Sequence, residues 1–101
     1  MPSYRLELEI GDLRPGMTPD QVMEAARSSL GHHVDATDIA VVGGTPRILL
    51  RFTVPASSSS EEDAAARQAV RDTRKGVELV ASTGRDRLLR RRRGSWLALG
   101  V

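Results

Sequence analysis

The sequence predicts a single α+β domain in which two helices cover one face of an antiparallel-type sheet. Three observations favour this class. Residues 4–10 and 48–54 alternate apolar with polar side chains, as strands with one buried face do. Residues 19–30 and 61–75 carry small and apolar side chains at helical spacing. The chain has 101 residues and no cysteine, so it can form one hydrophobic core and has no disulfide framework.

The first strand is predicted from the unbroken alternation between residues 4 and 10. Its inward side chains are Tyr4, Leu6, Leu8 and Ile10, and its outward side chains are Arg5, Glu7 and Glu9. Residues 11–17 contain two glycines and a proline, so we expect a loop there.

The first helix has clear start and stop signals. Thr18 suits the N-cap, Pro19 suits the first helical position, and Gln21 completes a capping box. We expect the helix to run to about Leu30 and to end at Gly31. Its predicted inward stripe is narrow and small in the middle: Val22, Ala26, Ser29 and Leu30, with Met23 beside it.

A β-hairpin is predicted in the middle of the chain. Residues 32–37 form a polar link, residues 39–42 a short strand and residues 48–54 a second strand. The segment Gly43–Pro46 has turn chemistry, which indicates that the two strands are adjacent. The inward residues of the second strand are Ile48, Leu50, Phe52 and Val54, and the outward ones are Arg47, Leu49, Arg51 and Thr53.

A second helix and a fourth strand are predicted next. Residues 57–60 are serines that join the preceding strand to the helix, and Ser60 is the expected N-cap. Acidic residues begin the helix and basic residues end it, which matches the helix dipole. Gly76 is expected to end the helix, and residues 77–81 are the expected fourth strand. The predicted buried stripe is Ala66, Ala69, Val70 and Thr73.

The last twenty residues allow two interpretations. A hairpin over residues 85–101 would turn at 93–96 by a two-residue turn of the Gly-X kind and return through 96–99. A short helix over residues 86–93 competes, since arginine and leucine both favour helix. We favour the hairpin. The chain is then a single domain, 1–101, with a core at 3–82 and a basic C-terminal hairpin at 85–101.

The order β-α-β-β-α-β, with a hairpin appended, resembles the ferredoxin-like or split βαβ arrangement over residues 3–82. The resemblance implies that the first and third strands are neighbours at the centre of the sheet, with complementary charges on their outward faces. RNA-recognition domains of this topology present aromatic residues on these strands. Charged residues occupy those positions here, so we expect no base stacking on them. Fold alone does not supply a function.

Charge is distributed unevenly along the chain. Residues 1–63 hold 5 arginines and 10 acidic residues, whereas residues 64–101 hold 10 basic and 3 acidic residues. The basic excess peaks in six arginines: Arg85, Arg87, Arg90, Arg91, Arg92 and Arg93. They are candidates for binding nucleic acid or an acidic protein partner. On a β-ribbon, alternate arginines project from opposite faces. The alternative is a solvated edge strand whose charges block aggregation.

Histidine and carboxylate residues occur together between 32 and 38. His32 and His33 are weak candidates for metal ligands, with Asp35 and Asp38 nearby. A solvated link is the favoured interpretation, and we expect no metal or cofactor. The Gly43–Pro46 segment lacks the Lys-Ser/Thr pair of a P-loop.

These patterns favour a non-catalytic binding or assembly module. The sequence shows no Ser-His-Asp arrangement, and no predicted element packs on the sheet face opposite the helices. We therefore expect a homodimer, formed through that face or through the C-terminal hairpin. Candidate interface residues are Leu49, Trp96, Leu97 and Leu99. A nucleic-acid-binding accessory protein is the alternative, and a small dimeric α+β-barrel enzyme is the third hypothesis.

Location is predicted from two negative signals. No stretch reaches the ~18 apolar residues of a membrane helix, and residues 1–10 alternate where a signal peptide would have an apolar block. We expect a cytoplasmic protein with no membrane partner.

Overall fold

The computed structural model describes residues 2–55 and 58–99. Two helices and a five-stranded antiparallel sheet with order β2-β3-β1-β4-β5 make up the fold, which confirms the α+β class. The fifth strand extends the sheet beyond the four strands of a simple split βαβ unit. The elements are β1 (Ser3–Leu13), α1 (Pro19–Leu30), β2 (Val34–Val42), β3 (Thr45–Thr53), α2 (Ser59–Glu78), β4 (Ala81–Arg92) and β5 (Ser95–Ala98).

The two strands predicted from alternation, β1 and β3, are neighbours at the centre of the sheet. They pair antiparallel from Ser3↔Thr53 to Glu9↔Arg47. Their inward side chains form the core with the buried stripes of both helices, as the alternation predicts. The largest fully buried side chains include Tyr4, Phe52, Leu6, Leu8, Leu30 and Leu50.

The limits of α1 agree with its sequence signals. The Thr18 backbone N–H donates to Gln21 Oε1 at 2.7 Å, which is one half of the capping box. Gly31 adopts the left-handed conformation that ends the helix, with φ of 79°. Val22, Ala26 and Leu30 are buried as predicted.

Helix α2 begins earlier and ends later than predicted. Ser58, not Ser60, is the N-cap, and its hydroxyl accepts from the Glu61 backbone N–H at 3.3 Å. Gly76 lies inside the helix, where it packs against Ser29 of α1. A Cβ at position 76 would overlap the Ser29 side chain. The glycine therefore permits close helix packing and does not stop the helix. Ser57, the first of the four serines predicted to join the preceding strand to this helix, lies outside the described residues.

The predicted strand at 77–81 is wrong, because residues 77 and 78 belong to α2. One long strand, β4, begins at Ala81, crosses the expected boundary between core and hairpin, and pairs with both β1 and β5. The alternative helix over 86–93 is wrong as well. The C-terminal hairpin turns at Arg93 and Gly94, with φ of 51° and 80°. Two positive φ values indicate a type I′ turn instead of the predicted Gly-X turn.

Two other strands are longer than predicted. Strand β1 continues to Leu13 through part of the expected loop, with bulges in its pairing to β4. Strand β2 begins at Val34 inside the expected polar link, because its backbone pairs with β3 regardless of side-chain polarity. The β2–β3 turn is Gly43–Gly44, both with positive φ. Within the described ranges, neither helix is long and apolar enough to cross a bilayer.

Candidate functional site

The sheet face opposite the helices is charged. The registers place on this face side chains from the three central strands: Arg5, Glu7 and Glu9 of β1, Arg47, Leu49 and Arg51 of β3, and Arg87, Leu89 and Arg91 of β4. We call this surface the open face. The clustered arginines predicted as a binding segment reach it only in part, because side chains alternate along β4.

The six candidate arginines divide among three places. Arg85 and Arg87 line a depression on the open face with Glu7, Glu9 and Arg47, and Arg91 lies on the same face opposite Trp96. Arg90 and Arg92 project to the helix side, where both border a depression containing Asp63. Arg93 forms the turn. The six residues therefore do not form one surface.

Arg90 belongs to a polar network that joins β1, β4 and the start of α2. Its Nη1 donates to Asp63 Oδ1 at 2.7 Å and to the Tyr4 hydroxyl at 2.8 Å. Its Nη2 lies 3.2 Å from Glu62 Oε1. The Tyr4 hydroxyl donates to Asp63 Oδ1 at 2.7 Å. Only 14% of the Arg90 side chain is exposed, so this arginine stabilises the fold and is not offered to a partner.

The network changes the proton affinities of its members. Burial raises the pKa of Tyr4 well above its usual 10, and the hydrogen bond to Asp63 raises it further. Burial alone would raise the pKa of Asp63, but hydrogen bonds from Tyr4 and Arg90 outweigh that effect and lower it. The hydrogen bond to Asp63 raises the pKa of Arg90 against the opposing effect of burial.

We expect Tyr4 to resist ionisation until the protein unfolds. Because the folded-state pKa of Tyr4 exceeds its unfolded value, its contribution is fully present below pH 10 and is lost as the pH rises above 10. Tyr4 is the chain's one tyrosine, so phenolate absorbance near 295 nm reports on it alone. The folded protein should show no phenolate step near pH 10, whereas the chain in urea should show one. A step near pH 10 in the folded protein would contradict the network.

One end of the open face is balanced in charge. Arg47 Nη2 lies 3.2 Å from Glu9 Oε2, and Arg47 Nη1 lies 3.7 Å from Glu7 Oε1. Glu9 Oε1 also accepts from the Arg85 backbone N–H at 3.0 Å. The expected charge complementarity between β1 and β3 is therefore present at this end.

The other end is basic, and here the expected complementarity is wrong. Arg5 lies directly opposite Arg51 in the β1–β3 register. Trp96 of β5 lies among three guanidinium groups, with ring-centroid distances of 4.9 Å to Arg5 Cζ and 5.5 Å to both Arg51 Cζ and Arg91 Cζ. We call these four residues the Trp96 cluster. The outward positions of β1 and β3 hold no aromatic residue, but Trp96 of the neighbouring hairpin supplies one to this face.

The predicted interface residues also divide. Leu49 and Trp96 lie on the open face, both half-buried, while Leu97 projects to the helix side and is 47% exposed. Leu99 packs against the core. These four residues do not form one apolar patch.

An apolar surface that the sequence analysis missed lies at the β2 edge. Ile39 and Val41 are 62% and 69% exposed although they lie on the helix side of the sheet. Ile39 borders a groove of about 190 Å³ whose other apolar walls are Ile10, Leu13, Pro19, Val22, Pro46 and Ile48. The apolar run 39–42 was visible in the sequence. Its exposure depends on β2 lying at the edge of the sheet, beyond the cover of the helices.

The histidine pair is not part of a metal-ligand cluster in the described part of the chain. His33 Nε2 lies 3.1 Å from Asp35 Oδ1, and the histidine is largely exposed. His32 and His33 border a shallow depression beside α1.

Comparison with family models, curated proteins and solved structures found no match to this chain. The functional assignment therefore depends on the two surfaces described above, the β2 edge and the open face.

Proposed function

We propose that the protein is a non-catalytic assembly module that forms a homodimer by pairing β2 with β2 of a second copy. The observation that carries the proposal is the exposure of Ile39 and Val41 on a nine-residue edge strand. Edge strands are usually protected by charged side chains, proline, bulges or short length. The two aspartates of β2 and its bulge lie within residues 34–38, so the segment 39–42 carries no such protection, and apolar groups beside a free edge favour strand addition.

The backbone of β2 is oriented for such pairing. The Ile39 backbone N–H donates to Asp38 Oδ1 at 2.8 Å, so this N–H is not engaged by β3. Since alternate residues along a strand direct their backbone groups to opposite sides, Ile39 and Val41 both present theirs at the free edge. In the dimer, Val41 of the second copy replaces the Asp38 carboxylate as the acceptor.

An antiparallel register centred on Ala40 is self-complementary. It places Ile39 opposite Val41 of the second copy, twice, and it places Asp38 opposite Val42. The acidic side chains are thereby kept apart, and four apolar side chains meet beside the two grooves. Fully burying a valine or isoleucine side chain contributes roughly 1.5–3 kcal/mol, which offsets part of the cost of association.

Charge and exposure disfavour a dimer through the open face or through the C-terminal hairpin, the two surfaces expected from the sequence. The open face holds more arginines than glutamates, so a dimer through it would bring like charges together, which opposes association. At the hairpin, Leu97 is the one exposed large hydrophobic residue of β5 among the described residues, and it is only 47% exposed. We also propose that β2-β3-β1-β4 is a ferredoxin-like unit extended by β5, so that β2 and the four-residue β5 are the two edges of the sheet and β2 is the longer one.

Light scattering after size exclusion tests the dimer. We expect a mass near twice 11.0 kDa at high micromolar concentration. Val41→Lys should give the monomer, because a charge at this edge opposes strand addition. Leu97→Lys is the matched control and should leave the dimer intact. A monomeric wild-type protein, or a dimer lost only in Leu97→Lys, would contradict the proposal.

A further inference from the structure

The Trp96 cluster gathers three guanidinium groups from three different strands. Arg5 comes from β1, Arg51 from β3 and Arg91 from β4, and all three lie within 5.5 Å of the indole centroid. Arg91 is also the direct cross-strand neighbour of Trp96. All three guanidinium groups contact one indole ring, so the cluster is gathered before any ligand binds, which lowers the ordering cost of binding.

The positive charge of the cluster has no ion-pair partner among the described residues. Elsewhere on the sheet, Arg47 pairs with Glu7 and Glu9, and Arg90 pairs with Glu62 and Asp63. Over residues 2–55 and 58–99, no carboxylate lies within ion-pair distance of Arg5, Arg51 or Arg91.

Direct opposition of Arg5 and Arg51 is unfavourable without a counter-charge. The indole ring supplies part of the compensation through cation–π contacts. An anion bound between the guanidinium groups would supply the rest.

The ligand that fits is a phosphate group. Planar guanidinium forks bind tetrahedral oxyanions in a bidentate manner, and arginine is the preferred residue for this geometry. Ser3 adds a hydroxyl, which accepts from Arg51 Nη2 at 3.5 Å. Beyond Arg5, the next two residues of β1 on this face are Glu7 and Glu9. Their carboxylates would repel further phosphate groups of a longer ligand that extended along β1. The basic patch is therefore compact.

We propose that the Trp96 cluster binds the phosphate group of a small phosphomonoester. The site is separate from the β2 edge, so its test is independent of the proposed dimer. It also refines the hypothesis of a basic binding segment, since only Arg91 of the six clustered arginines contributes and two partners come from outside that segment.

Trp96 is the chain's one tryptophan, so its fluorescence reports directly on the site. We expect inorganic phosphate and a nucleoside monophosphate to change the emission saturably at constant ionic strength, whereas chloride should not. Arg51→Gln should weaken binding by at least about tenfold, which is the loss expected for one hydrogen bond to a charged group. Arg92→Gln removes the same charge from the opposite side of β4 and should leave the affinity unchanged.

Two results would overturn the proposal. Phosphate that is indistinguishable from chloride would show that no site exists, and equal losses in Arg51→Gln and Arg92→Gln would show a diffuse charge effect. A single-stranded oligonucleotide without terminal phosphates serves as the third ligand. Binding tighter than that of the monophosphate, with a steep salt dependence, would replace the phosphomonoester with a nucleic-acid strand.

Discussion

Arg90→Met is expected to destabilise the protein by about 2–4 kcal/mol. Breaking a buried ion pair by removing one partner costs roughly 3–5 kcal/mol, and the lower range applies because solvent still reaches 14% of the Arg90 side chain. The substitution keeps the length of the side chain but leaves the Asp63 and Glu62 carboxylates without their guanidinium partner. Urea denaturation followed by circular dichroism, at one fixed protein concentration, measures the change.

Arg92→Met is the matched control for this prediction. Arg92 lies two residues along the same strand, on the same side of the sheet, and is exposed. Its replacement should change stability by less than about 0.5 kcal/mol. A double-mutant cycle with Asp63→Asn should show a large coupling to Arg90. Equal effects of the Arg90 and Arg92 substitutions would show that the network does not stabilise the fold.

Gly76→Ala is expected to destabilise the protein by about 1–3 kcal/mol, the usual cost of overpacking. Helix propensity alone predicts the opposite sign, since alanine is favoured over glycine by about 1 kcal/mol inside a helix. The added methyl group would overlap the Ser29 side chain where α1 and α2 pack. The helices would therefore have to separate, and the shared core would lose contacts. Thermal denaturation gives the sign directly.

Ser29→Gly provides the test of mechanism. In that background the methyl group added at position 76 has space, so Gly76→Ala should become neutral or stabilising. The two substitutions should therefore be strongly non-additive. Stabilisation by Gly76→Ala alone would contradict close helix packing at this position.

Short sequence patterns correctly predicted the elements whose position depends on residues close together in the chain. The alternation in residues 4–10 identified the buried face of β1, and the Thr18–Gln21 capping box located the start of α1. These features depend on periodicity and on hydrogen bonds within a few residues. They do not depend on which segments later become neighbours.

The errors occurred where a distant partner decides the structure. Gly76 carries the signal of a helix end, but the close approach of Ser29 explains why a glycine lies inside α2. The continuation of α2 through Val77 displaced the predicted fourth strand. The helix alternative for residues 86–93 failed because β1 and β5 pair with that segment from both sides.

The candidate site was predicted in composition but not in arrangement. Arginine abundance near the C-terminus was evident, but the β4 register decides which arginines are already paired. Arg90 is engaged by Tyr4 and Asp63, whereas Arg91 joins Arg5 and Arg51 around Trp96. No property of residues 85–93 alone separates Arg90 from Arg91. The exposure of Ile39 likewise required the position of β2 in the sheet.

The β2 dimer can be tested most directly by a single cysteine at its proposed two-fold axis. The protein has no native cysteine, and Ala40 would face itself across that axis at a distance suited to a disulfide. Ala36→Cys is the control, because in this register its two copies lie about 27 Å apart along the strands. We predict that mild oxidation yields a covalent dimer for Ala40→Cys and none for Ala36→Cys. Equal cross-linking of both variants, or none in either, would contradict pairing through β2.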